Sequence, residues 1–108
     1  MGIERYRGDT SSDKMIITGP TGLPVNLTGS TILFTLCSVR NPVDNSTDIY
    51  QLAGVVTNPL SGIVEFTPSA AQTNRIGIFY YDVQLTDSNG VIHTVAKDSY
   101  TFIQDITK

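Results

Sequence analysis

At 108 residues, 40% hydrophobic and 16% charged, the chain has the size and apolar content of one folded domain rather than of a disordered segment. Its net charge is −3, and its seven Lys and Arg are scattered singly from Arg5 to Lys108, which excludes the basic stripe that a nucleic-acid backbone needs. A single cysteine, Cys37, excludes an intrachain disulfide and a cysteine-based metal cluster.

Residue type selects the backbone. The chain holds 11 Ile, 9 Val and 14 Thr against 4 Ala, so β-branched residues dominate the good helix formers. Branching at Cβ restricts χ1 in a helix but packs well on a pleated surface, and the profile predicts an all-β domain. No linker, repeat or low-complexity segment interrupts it, so residues 1–108 are expected to form a single domain with a short N-terminal arm over about residues 1–12. Met1–Tyr6 lacks the apolar stretch of a secretory signal, and the longest apolar run, about Ile78–Tyr81, is far short of a membrane span. These features predict synthesis in the cytoplasm without export by a standard N-terminal signal, and no membrane partner.

In chain order, Ile3–Tyr6 alternates and reads as a first edge strand, followed by a polar loop from Arg7 to Ser12. Lys14–Thr18 is the next strand candidate. Two Pro and two Gly between Gly19 and Pro24 require a turn, after which Val25–Gly29 resumes an extended chain. Ser30–Val39 alternates cleanly, placing Ile32, Phe34 and Leu36 on a core face. Its other face, with Leu33, Thr35, Cys37 and Val39, is also fairly apolar, which predicts partial cover by a loop or a neighbouring chain.

Arg40–Asp48 reads as a polar loop and Ile49–Val56 as a strand weakened or bulged at Gly54. Asn58–Gly62 is a turn and Ile63–Thr67 a strand. Pro68–Thr73 is the one helix-like piece, with Thr67 as its cap and Pro68 at its first position. Gly77–Thr86 is the strongest strand, with Phe79, Tyr81, Val83 and Leu85 on one face. Asp87–Gly90 is a hairpin turn whose Asn-Gly supplies positive φ angles. Val91–Ala96 returns, Lys97-Asp98 makes a break, and Ser99–Ile106 closes the sheet. Seven or eight short strands with turns every 8–12 residues give an immunoglobulin-like antiparallel β-sandwich.

Candidate chemistry is sparse. His93, the single histidine, sits mid-strand and reads as a surface or hydrogen-bonded residue. Asp44–Asp48 spaces oxygens as a calcium loop does, but Ile49 and Val55 stand where Gly and Glu are needed, so it reads as a solvated loop. Cys37 would need His93 as its base and reads instead as a packed thiol. There is no Gly-x-Ser-x-Gly and no phosphate-binding loop. Asn26-Leu27-Thr28 and Asn45-Ser46-Thr47 match a glycosylation sequon but are idle without a secretory route. Arg7-Gly8-Asp9 has the form of an integrin ligand but reads as a tight turn. The expectation is a non-enzymatic chain with no cofactor and no metal.

Several segments together carry a resemblance. Tyr6-Arg7-Gly8-Asp9-Thr10 is followed by Gly22-Leu23-Pro24-Val25-Asn26-Leu27-Thr28-Gly29-Ser30 and on through Leu36. Gly77-Ile78-Phe79-Tyr80-Tyr81-Asp82-Val83-Gln84-Leu85-Thr86-Asp87 and the late turn Asn89-Gly90 come after them. In order and spacing these resemble the small immunoglobulin-like domains of tailed bacteriophages, and above all the N-terminal domain of the baseplate upper protein family. The resemblance runs from Tyr6 to about Asp105. It implies a virion protein, either a tail or baseplate accessory or a capsid-decorating (cement) subunit. The implied partners are other virion proteins, whether tail, baseplate or major capsid protein, together with self-association. The baseplate family continues past this domain into a receptor-binding part, whereas this chain stops at Lys108, which favours the decorating role. The alternative is a cell-surface adhesion or carbohydrate-binding module, weakened by the absence of Trp. Expected interface residues are Tyr6, Arg7, Asp9, Leu33, Cys37, Val39 and Ile106, with the arm Gly2–Thr10 and the C-terminal Gln104–Lys108 as tails.

Overall fold

A computed structural model describes residues 2–42 and 45–104. Eight strands form two layers: β1 (Ile3–Tyr6), β2 (Asp13–Ile16), β3 (Thr31–Cys37), β4 (Asp48–Ala53), β5 (Val55–Asn58), β6 (Ile63–Phe66), β7 (Gly77–Thr86) and β8 (Ile92–Ile103). One sheet has the order β1-β8-β7-β3-β4 and the other β2-β6-β5. This is the strand arrangement of an immunoglobulin-like sandwich. Among the described residues all strand pairings are antiparallel except one: β1 runs parallel to β8, with Ile3 opposite Tyr100 and Tyr6 opposite Ile103. The fully antiparallel sandwich expected from the sequence is corrected at that edge.

The two-residue alternation builds the core. Ile32, Phe34 and Leu36 from β3 meet Tyr81, Val83 and Leu85 from β7, Tyr100 and Phe102 from β8, and Val64 and Phe66 from β6, all buried. With no disulfide joining the layers, Phe34 occupies the centre. Its ring lies 5.3 Å from both Phe66 and Tyr81 and 5.9 Å edge-on from Tyr100. Aromatic pairs at such spacings add to the area they bury. Leu27 is 1% exposed although its segment forms no strand; within Val25–Gly29 it alone is buried, and its N–H donates to the Pro59 carbonyl (2.9 Å).

Four local expectations are revised. The strand expected over Ile49–Val56 is two strands in different sheets. At Gly54 the chain leaves β4 and crosses to the other layer as β5. A Cβ there would lie 2.6 Å from Val64 Cγ2 and 2.9 Å from Phe66 Cε1, so a side chain would collide with the core at the crossing. The break expected at Lys97-Asp98 does not occur. β8 is continuous because both residues face partners on β7, Lys97 opposite Asp82 and Asp98 opposite Tyr81; the irregularity falls instead between Val83 and Gln84. The short helix α1 (Ala70–Thr73) is capped by Ser69 rather than Thr67, in a reciprocal box with Gln72. In the β7–β8 turn only Gly90 has positive φ (+81°), and Gly90 N–H donates to the Asp87 carbonyl at 3.0 Å. The turn is therefore of the type I plus glycine-bulge kind, not the two-residue form with both φ values positive.

Candidate interaction surface

The N-terminal arm is built into the sandwich. β1 supplies one edge of the large sheet and turns Arg5 inward, leaving it 7% exposed. Arg5 Nη2 lies 2.9 Å from Asp13 Oδ1 on β2, and Arg5 Nε donates to Tyr100 Oη on β8 at 2.6 Å. Its outer nitrogens donate to the carbonyls of Asp9 (2.8 Å) and Ser11 (2.6 Å). Thr73 Oγ1 at the end of α1 donates to the Asp9 carbonyl as well. Burial disfavours the Arg5 charge, but Asp13 and Tyr100 outweigh it and hold its pKa above the ordinary value. Burial, reinforced by the hydrogen bond to Asp13, pushes the Tyr100 hydroxyl well above its usual range. Tyr50 Oη is buried without a hydrogen-bond partner and is pushed up to about 12, chiefly by burial.

Arg7-Gly8-Asp9 is the tight turn expected from the sequence: Asp9 N–H donates to the Tyr6 carbonyl (3.2 Å) and Gly8 N–H to the Thr73 carbonyl (3.1 Å). Arg7 N–H donates to the Ile103 carbonyl (2.8 Å) and so extends the β1–β8 pairing. Within Gly2–Thr10, residues 3–9 are therefore docked rather than a free tail. Tyr6 is 54% exposed and belongs to the outer face of the large sheet beside Ile103. Of the expected interface residues, Ile106 lies outside the described residues.

The remaining ones sit on and beside β3. Leu33 is 36% exposed and Val39 is 40% exposed, whereas Cys37 is 6% exposed. Its Sγ contacts Thr47 Oγ1 at 3.0 Å, so the cover anticipated for this face comes from the chain's own loop between β3 and β4. Tyr6, Arg7 and Asp9 thus form one group near the β8 terminus, and Leu33, Cys37 and Val39 another; the register does not join them.

Next to Cys37 the outer face holds a shallow recess that the sequence reading did not single out. Thr35, Asp48, Tyr80, Asp82 and Lys97 line it. Asp82 and Lys97 are directly opposed across β7 and β8. Burial, then Asp48, raises the Asp82 pKa, and Lys97 partly offsets them. The Arg40 guanidinium lies 5.5 Å from the Tyr80 ring centre, and Lys97 Nζ donates to Asn41 Oδ1 at 2.8 Å. The one signal for it in the sequence was the polar alternation Tyr80, Asp82, Gln84 on β7.

His93 is half-exposed and lies 3.5 Å from Asp87 across the hairpin. Asp87 is held below the usual carboxylate range by the Val91 and Asn89 backbone N–H groups and by His93, in a contact that closes the turn. Among the described residues, no group of three His, Cys, Asp or Glu side chains is placed to hold a metal ion. Asp44 of the calcium-like run lies outside the described residues, and Asn45–Thr47 form a 3-10 turn.

At the level of sequence, no protein family and no curated protein matches the chain. Solved structures do match its fold. The N-terminal domain of phage TP901-1 ORF48 superposes with a TM-score of 0.63 at 13% identity, over 94% of this chain and 83% of that one. CopC from Methylosinus trichosporium OB3b superposes with a TM-score of 0.56 at 11% identity, over 99% of this chain and 88% of that one. At these identities the likeness establishes a shared sandwich fold, found in a phage domain among others.

Proposed function

We propose that this chain is a non-enzymatic structural subunit of a tailed-phage virion, a tail or baseplate accessory or a capsid-decorating protein that works through protein–protein contacts. The observation behind this reading is the superposition on a phage domain over 94% of the chain. It agrees with the ordered segments from Tyr6 to Asn89-Gly90 that resemble phage immunoglobulin-like domains. The chemistry of the surface fits. The outer face of the large sheet offers strands, loops and short polar side chains, with Tyr6, Ile78 and Ile92 as exposed apolar points of contact. The net charge of −3 suits contact with protein more than with packaged nucleic acid. In an assembly of many copies, modest contacts sum through multivalency, so a small interface per subunit suffices.

The test is co-purification. An antiserum against the purified chain is expected to stain virions through density-gradient banding and to mark one symmetric location by immunogold. Virions that band without the protein, from cells that express it, would overturn the reading.

A further inference from the structure

The chain has six asparagines, and the residue after each decides what its side chain can do. A main-chain nitrogen attacks the side-chain carbonyl of the preceding asparagine when it carries a hydrogen and is not crowded. Asn41 and Asn58 precede proline, whose nitrogen has no hydrogen to lose. Asn26, Asn45 and Asn74 precede Leu27, Ser46 and Arg75, whose side chains obstruct the approach. Asn89 precedes Gly90, which has no side chain and the widest choice of backbone angle.

The fold separates them further. Asn26 Oδ1 accepts from the Thr28 N–H (3.0 Å) and hydroxyl (2.7 Å), Asn58 Oδ1 from the Ser61 N–H (3.2 Å), and Asn41 Oδ1 from Lys97 Nζ (2.8 Å). The Asn89 side chain is exposed and makes no hydrogen bond among the described residues. Nothing lies within 4 Å of the place that a Gly90 Cβ would take, so the turn is open to water on that side. One restraint remains. Gly90 N–H donates to the Asp87 carbonyl at 3.0 Å, and Asp87 Oδ1 accepts from the Asn89 and Val91 N–H groups at 2.9 and 3.0 Å. The nitrogen that would attack is held in the bond that closes the turn, and it comes free when the turn opens.

We propose that Asn89 is a site of spontaneous modification whose pace is set by the bonds of Asp87. The Gly90 nitrogen bonds to Asn89 Cγ, its proton is lost to solvent, and the side-chain amide leaves as ammonia. Water then adds to either carbonyl of the five-membered imide and opens it. The products are aspartate, with the main chain restored, or isoaspartate, in which the main chain runs through Cγ. Each conversion consumes one water and releases one ammonia. Either product adds a carboxylate two residues from Asp87 and takes the net charge from −3 to −4. Isoaspartate also lengthens by one carbon the link between β7 and β8, the two longest strands of the chain. The inference stands apart from the virion reading, since its test needs the purified chain alone.

The test is ageing in mildly alkaline buffer for several weeks, followed by isoelectric focusing and peptide mapping. The unmodified chain is expected to accumulate one more acidic species. Its mass gain of about 1 Da is expected to map to Asn89, part of it as isoaspartate that a protein isoaspartyl methyltransferase labels. Asn89→Gln is expected to abolish this species, because closure to a six-membered ring is far slower. Asp87→Ala removes the carboxylate that holds two N–H groups of the turn and is expected to speed conversion about fivefold, the weight of one hydrogen bond. Thermal melts check that both variants are folded before ageing. A chain that keeps its charge throughout, or an acidic species that maps to another asparagine or persists in Asn89→Gln, overturns the proposal. A folded Asp87→Ala chain that converts no faster than the unmodified one overturns the role given to Asp87.

Discussion

Tyr100 Oη donates to Asp13 Oδ2 at 2.6 Å, and this bond spans the two layers: Tyr100 belongs to the five-stranded sheet and Asp13 to the three-stranded one. Arg5 completes the triangle from β1. A buried charge pair contributes little over a well-packed apolar substitute, but losing one partner strands the other. The side chains of Arg5 and Asp13 are only 4% and 13% exposed. Asp13→Ala is therefore expected to destabilise by about 3–5 kcal/mol, a large share of the ~5–15 kcal/mol that holds such a domain together. Tyr100→Phe leaves the ion pair in place and is expected to cost about 1–2 kcal/mol. Urea melts that rank Tyr100→Phe as the worse of the two would refute this picture of the triangle.

The crossing at Gly54 admits no side chain. Ile32 Cβ, at 3.0 Å from an added Cβ, closes the third side around Val64 and Phe66, and these neighbours are core residues with no solvent to move into. Gly54→Ala is expected to cost about 1–3 kcal/mol through overpacking. Thermal melts of Gly54→Ala and Gly90→Ala separate two effects, since nothing lies within 4 Å of a Cβ at Gly90 and its cost comes from the backbone angle alone.

Asp82 gives the outer recess a pH dependence. Its folded pKa is raised by burial and by Asp48, against the pull of Lys97. A carboxyl with a raised folded pKa holds its proton more tightly in the native state. Its contribution to stability is full below the unfolded value near 3.8 and is lost as pH rises through the folded pKa. Asp82→Asn is expected to melt higher than the unmodified chain at pH 7 and to lose that advantage below pH ~4. A variant that melts lower at pH 7 would show instead that the cross-strand pair with Lys97 outweighs the burial.

What could be read from the sequence was whatever depends on neighbours two residues apart. The alternation through Ile32, Phe34 and Leu36, and through Tyr81, Val83 and Leu85, identifies the core face because a strand places alternate residues on one side. What could not be read depends on distant partners. Arg5 reads as a surface charge until Tyr100, 95 residues away, comes beside it. Gly54 reads as a bulge because nothing local says that β5 belongs to the other sheet. The candidate surface was half-legible for the same reason. The apolar outer face of β3 signals that something covers Cys37, but whether that cover comes from the same chain or a neighbour is decided by where Thr47, ten residues on, is placed.

That cover makes the thiol a probe of the fold. Cys37 is 6% exposed, and Thr47 stands over its sulfur at 3.0 Å. A thiol reagent needs direct access to the sulfur, so labelling of the native chain has to wait for the β3–β4 loop to lift or for the domain to unfold. With a chromogenic disulfide reagent, the single thiol is expected to react within seconds in 8 M urea and at least a hundredfold more slowly in buffer. Thr47→Gly removes the contacting side chain without touching the core, and is expected to speed the native reaction while leaving the urea midpoint nearly unchanged. Equal labelling rates for the native and unfolded chains would mean that the loop does not close over β3.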